Sequence, residues 1–255
     1  MRALVAAGLL ALSACASQPA DPAVAAAHQA DAQRRADLRL QLASAYFAEG
    51  QYATALQELD QAYATGQRRA DVLGLRALVL MQQGDAAGAT RTLRRAVQED
   101  PANPALLNNM GWLLCETGQR DEGLSYFARA LSNKAYASPA KAMVNAGRCS
   151  LQAGKPAQAE LFFRQALAAD PSLVVAHANL ARLAYAAGDH ARAKAHLLRV
   201  LPSEQAARED FLMAMSIERK LGDDLAEQSL ARQWKKRFPE TAGAVSTSIG
   251  DADER

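Results

Sequence analysis

Residues 108–119 read NNMGWLLCETGQ, with Cys115 three positions after Trp112 and a glycine on either side, at 111 and 118. Whether this cysteine is a nucleophile or a structural residue depends on what its surroundings repeat. Gly118 belongs to a series, Gly50, Gly84, Gly118, Gly154, Gly188 and Gly222, with intervals of 34, 34, 36, 34 and 34 residues. Each follows an apolar helical stretch, where a helix-ending residue with left-handed backbone is expected. Seven positions before the glycines stand Ala43, Ala77, Gly111, Gly147, Ala181 and Met215; five after them stand Ala55, Ala89, Gly123, Ala159, Ala193 and, departing, Glu227. Twelve after come Ala62, Ala96, Ala130 and Ala166, then the larger Val200 and Trp234. Pro101, Pro171 and Pro239 fall seventeen after their glycines, where a second helix stops.

Antiparallel helices approach closely only where their facing side chains are small. Larger residues between those notches, such as Tyr46, Leu59, Leu93, Leu114, Phe127, Phe163 and Leu197, fill the seam. The 255-residue chain is 50% hydrophobic and only 5% aromatic, rich in alanine and without β-branched runs or hairpin-turn dipeptides. That composition predicts an all-helical protein. A net charge of +2 with both signs interspersed gives no footprint for nucleic acid. No phosphate-cradling glycine loop, HExxH, paired-cysteine zinc pattern or GxSxG is found, so no enzyme, cofactor or metal site is predicted.

The small, glycine and proline columns resemble those of the tetratricopeptide repeat, a 34-residue helix-turn-helix unit. The resemblance implies an all-α fold, a right-handed superhelix of six repeats (36–69, 70–103, 104–139, 140–173, 174–207 and 208–241), followed by a tail, 242–255, without a periodic apolar face. A single such hairpin cannot bury its apolar face alone, so neighbours must stack.

The chain begins MRALVAAGLLALSAC. Arg2 and the apolar stretch behind it read as a signal peptide, too short to span a bilayer. Leu12-Ser13-Ala14-Cys15 resembles a bacterial lipobox, which implies cleavage of residues 1–14 and acylation of Cys15; two or more acyl chains give stable anchoring. Ala16 in place of Asp implies an outer-membrane destination. The alternative is an ordinary signal peptide with a chance cysteine. Residues 15–35 read as the acylated N-terminus and a tether passing into helix.

Cys115 and Cys149 remain. They lie three and five residues before their glycines, on first helices of adjacent repeats, and a two-residue offset turns a side chain by about 200°. They are therefore expected to face each other and form a disulfide, as an oxidising periplasm allows. Two free thiols, or a nucleophilic cysteine, are the alternatives. A nucleophile needs a base nearby, and none of His28, His177, His190 or His196 is placed by spacing beside Cys115.

First helices line the inner wall of such a superhelix. Asn109, Asn145 and Asn179 share one position there, and Trp112, Arg148 and Arg182 stand one turn on. Phe47, Met81 and Tyr185 sit three residues before their glycines. Together these form a candidate peptide-binding groove, amides for a peptide backbone and guanidinium forks for carboxylates. Against it stands the reading that asparagine is simply common in such repeats and that the aromatics, Trp112 included, belong to the core.

Three segments carry a narrower resemblance: Asn108–Cys115, residues 136–160 (YASPAKAMVNAGRCSLQAGKPAQAE) and residues 233–240 (QWKKRFPE). With the lipobox and the cysteine pair, the chain resembles the type IV pilus biogenesis and stability lipoproteins, the PilF/PilW pilotin family. The resemblance implies a non-catalytic, lipid-anchored protein on the periplasmic face of the outer membrane whose partner is the pilus secretin. Alternatives are a repeat lipoprotein scaffolding envelope or peptidoglycan enzymes, and a secreted chaperone whose cysteine is not acylated.

Overall fold

The computed structural model describes residues 21–239, and all the regular structure there is helical apart from a short 3₁₀ position at its end. The expected signal peptide, the lipidation at Cys15 and the tail 242–255 lie outside the described residues. Twelve helices are present among the described residues: α1 (Pro22–Ala48), α2 (Tyr52–Ala64), α3 (Arg69–Gln82), α4 (Ala86–Glu99), α5 (Pro104–Glu116), α6 (Arg120–Ser132), α7 (Pro139–Gln152), α8 (Pro156–Ala169), α9 (Val174–Ala186), α10 (His190–Val200), α11 (Arg208–Leu221) and α12 (Asp224–Arg237). None is long and apolar enough to cross a membrane.

The chain divides into two compact units, Met1–Arg69 and Ala70–Arg255. In the first, α1 starts well ahead of residue 36, so most of the segment read as a tether is helical. Pro22 supplies a preset φ at its start, and the Asp21 carboxylate accepts the Ala23 N–H at 2.8 Å. Ala43, Ala55, Leu59 and Ala62 are fully buried. Ion pairs Arg39–Glu58 (2.7 Å) and Arg68–Asp37 (2.6 Å) lie at its surface.

In the second unit the turns explain the constant spacing. Gly118 has φ +88° and Gly188 +77°, a region that L side chains resist. At the first of these, the Gly118 N–H bonds to the Cys115 carbonyl and the Gln119 N–H to the Leu114 carbonyl, at 3.1 and 2.8 Å. This is a Schellman closure, which satisfies carbonyls the helix end leaves open. At Gly84, Gly188 and Gly222 the following residue is an aspartate that caps the next helix: Asp85 accepts from Gly88, Asp189 from Arg192 and Asp223 from Ala226. One helix stop and one helix start therefore occupy two adjacent residues.

Close packing accounts for the small columns. A Cβ added at Gly111 would stand 2.9 Å from the Gly123 carbonyl oxygen and from the Phe127 ring. One added at Gly123 would stand 2.5 Å from Cys115 Sγ and 2.7 Å from the Gly111 carbonyl oxygen. At Gly147 the obstacle is the ring of Phe163, 2.6 Å away and fully buried. Trp234, on α12, is 2% exposed and packs back onto Val200, Ala206 and Phe211. It takes the room that the shorter side chains of earlier repeats leave to their successors.

Replacing Gly147 by alanine forces a methyl against a ring that has nowhere to go. The expected loss is about 1–3 kcal/mol, the usual range for overpacking. It is read as a lower urea midpoint at unchanged slope.

Candidate functional site

The inner-wall residues are carried by α5, α7 and α9, and the structure divides them by what they touch. Asn108, one residue before the predicted column, is only 3% exposed. Its Oδ1 accepts the Asn145 Nδ2–H across the α5–α7 junction at 3.0 Å, and its own Nδ2 donates to Asn109 Oδ1 at 3.3 Å. A buried amide needs partners, and the column supplies them. Asn145 thus joins neighbouring repeats, and Asn109 keeps only its amide nitrogen without a partner among the described residues. Asn179 Nδ2 donates to the Val175 carbonyl at 2.7 Å, within its own helix.

Arg182 and Tyr185 are likewise engaged, at the junction of α9 with α11. The Arg182 guanidinium donates to Asp210 Oδ1 at 2.8 Å, and the Ala207 N–H donates to Asp210 Oδ2 at 2.9 Å. Asp210 is 1% exposed, so these bonds compensate a buried charge. The Tyr185 hydroxyl shares a 2.8 Å hydrogen bond with Ser216, and Lys220 Nζ lies 5.1 Å from the ring centroid. The Ser216 bond, aided by the Lys220 cation, holds the phenol below its ordinary value. Asn145 and Arg182 thus each spend one donor across a seam between repeats and Asn179 one on its own helix, while the Arg182 side chain stays 43% exposed.

Trp112, Asn145, Arg148 and the two cysteines do come together. Cys115 and Cys149 form a disulfide between α5 and α7, their Cα atoms 5.7 Å apart. A bridged sulfur has no thiolate to offer as a nucleophile. Trp112 is half-buried against a cluster that holds both cysteines, Phe127 and Ala146. Beside it Arg148 is exposed, with no partner among the described residues. The depression they share measures about 10 Å³, which suits surface docking and not a small molecule. Phe47, half-buried on α1, packs its ring 6.0 Å from that of Tyr52, and Met81 is half-buried on α3.

Spacing in the sequence gave no sign of one further pair. His177 on α9 and His196 on α10, nineteen residues apart, bring their Nδ1 atoms to 3.0 Å. The Pro171 carbonyl lies 3.2 Å from His177 Nε2 and accepts only, so His177 carries its proton on Nε2 and takes the His196 Nδ1–H. Burial first, then His177, Arg164 and Arg192, hold His196 below the ordinary histidine value of 6.5, with Glu160 opposing. No three side chains among His, Cys, Asp and Glu converge as a metal site among the described residues.

Paired helices, turned by positive-φ glycines and packed through small-residue notches, define a repeat protein of the helical-hairpin class. The tetratricopeptide repeat profile matches residues 80–145 and 150–216, more than half of the chain, and a second profile of that repeat matches 40–104. The chain belongs to the tetratricopeptide repeat family. Within it, the chain is homologous to the type IV pilus assembly protein PilF of Pseudomonas aeruginosa, at 29% identity over 147 residues, 56% of this chain. That match spans 58% of the relative, a little over half its length. The crystal structure of PilW, described as a widely conserved type IV pilus biogenesis factor, superposes with a TM-score of 0.73 at 26% identity, covering 83% of this chain and 97% of PilW. The structure of Pseudomonas aeruginosa PilF gives 0.75 at 23% identity, over 82% of this chain and 94% of that one, and shares the fold.

Two outcomes follow from this geometry. Replacing Cys149 by serine opens a loop of 34 residues and should remove about 3–4 kcal/mol in the chain-entropy description, measured as a denaturant midpoint with and without reductant. For His196, a folded value below 6.5 means that the unfolded chain takes up the proton first as pH falls. The group's contribution is therefore complete above 6.5 and is lost on going below it, levelling off beneath the folded value. Melting curves between about pH 7.5 and 5.5 should show a steeper decline for the wild type than for His196→Gln.

Proposed function

We propose that this chain is an outer-membrane lipoprotein scaffold of type IV pilus biogenesis, binding the secretin subunit and promoting its localisation to the membrane and its oligomerisation. The observation that carries the proposal is the similarity to PilW over 97% of that protein's chain, together with the PilF match. MRALVAAGLLALSAC adds a lipobox whose Cys15 would bear the acyl chains.

The mechanism is tethered capture. Acyl chains on Cys15 hold the repeats at the inner leaflet, and the partner is gripped by the repeat surface. Holding both on one membrane raises their effective concentration and favours assembly without any chemical step. Trp112 and Arg148 suit such a grip: tryptophan and arginine are enriched at binding hot spots, and the Arg148 guanidinium has no partner among the described residues. Docking of this kind asks nothing of a catalytic group.

Deleting the gene should abolish detergent-resistant secretin multimers in the outer membrane, read on immunoblots. Cys15→Ser should leave the chain in the periplasm and reduce multimers sharply. Normal multimers in the deletion strain would end the pilus reading, and normal multimers with Cys15→Ser would remove the anchor from it.

A further inference from the structure

The last hairpin, α11–α12, has no successor among the described residues, and its outer side carries a cleft of about 310 Å³. The preceding hairpin shows what such a side is built to receive. There Arg182, Tyr185 and Leu197 on α9 and α10 meet α11, through the Asp210 and Ser216 contacts and through packing on Ala214 and Ile217. Thirty-four residues on, the same places are held by Ser216, Arg219 and Ala231, all lining the cleft. Leu212 stands where the buried Ala178 stands one repeat earlier, and it is 41% exposed.

Two features separate this face from a plain apolar end. Trp234 lines the cleft, is 2% exposed, and its indole Nε1–H has no hydrogen-bond partner among the described residues. A buried donor without an acceptor is costly and is relieved when one arrives. Lys235 lies on the rim, leading into the basic last turn Lys235, Lys236 and Arg237. The Arg219 cation, by contrast, is already paired with Glu227. The face therefore offers an apolar strip at helical spacing and the Lys235 cation on its rim, with the unsatisfied indole N–H of Trp234 buried beneath the strip.

We propose that this end face docks an amphipathic helix of the partner polypeptide, with its apolar stripe on Leu212 and Ala231, a side-chain acceptor toward Trp234 and an acidic residue against Lys235. The inference rests on the pilus reading for the identity of the partner, the secretin subunit. A helix is favoured because the equivalent side of the preceding hairpin receives one. An acidic partner is favoured by charge complementarity.

The test measures binding of the detergent-solubilised full chain to purified secretin subunit by surface plasmon resonance, with circular dichroism to check folding. Leu212→Glu and Lys235→Glu should each weaken binding about tenfold or more. Leu161→Glu, at a 55% exposed leucine away from the cleft, should leave binding unchanged. Failure of the wild type to bind secretin at all would overturn the pilus reading and this inference with it. Tight binding by the wild type and equally by Leu212→Glu and Lys235→Glu would overturn this inference alone. Unchanged secretin binding by Leu212→Glu, together with cross-linking of residues 240–255 to Lys235 in the free chain, would overturn it in favour of the chain's own C-terminal segment as occupant. A dimer of the free chain that Leu212→Glu dissociates in sedimentation would overturn it in favour of a second copy.

Discussion

Between α5 and α6 a methyl group at Gly123 would stand 2.7 Å from the Gly111 carbonyl oxygen, so the two backbones are as close as helices packed through glycine come. The other hairpins carry small residues at the same two places, Ala43 and Ala55, Ala77 and Ala89, Gly147 and Ala159, and Ala181 and Ala193, as a close crossing requires. Helices held so near leave no room for large side chains at the crossing, and these are displaced to either side of it. Phe127 and Phe163, fully buried, are examples. Each hairpin then has an apolar flank that only another hairpin of the same shape covers, which is why stacking follows from the crossing.

The seams between hairpins are not wholly apolar. Asn108, Asp210 and Glu218 are nearly inaccessible, and each is satisfied across a boundary: by Asn145, by Arg182 and by Lys194. A disulfide between α5 and α7 ties the boundary at which the repeat interval widens to 36 residues. Unpaired polar groups in a dry seam would cost more than these contacts return, so once formed they oppose slippage. The second unit is therefore a stack in which neighbours are registered by hydrogen bonds as well as by shape.

This registration has a consequence for recognition. Side chains that join repeats are less free to hold a partner: Asn145, Arg182 and Tyr185 each have a polar atom committed to a neighbouring repeat. What remains available is local. Trp112 and Arg148 lie over the disulfide, and the end face of α11–α12 carries an unsatisfied indole and a basic rim. Both are surfaces for gripping a polypeptide, in keeping with the scaffold function proposed.

Much of the fold was legible in the sequence because its determinants are local. A glycine that must take positive φ, an aspartate that caps the next helix and a small residue at each crossing are one-residue requirements, and the 34-residue interval follows when they recur. The fate of polar side chains was not legible, since whether Asn145 reaches a peptide or Asn108 depends on rotamers and on a neighbour 37 residues away. The same holds for His177 and His196, which no periodicity relates, and for Asp210, whose pairing with Arg182 spans 28 residues. By itself the sequence determined the helices, their turns and their repetition, because backbone geometry and side-chain size act within a hairpin. Only the tertiary structure decided which groups on the inner wall are struts and which are free, because hydrogen bonds between repeats are made by atoms that the chain brings together last.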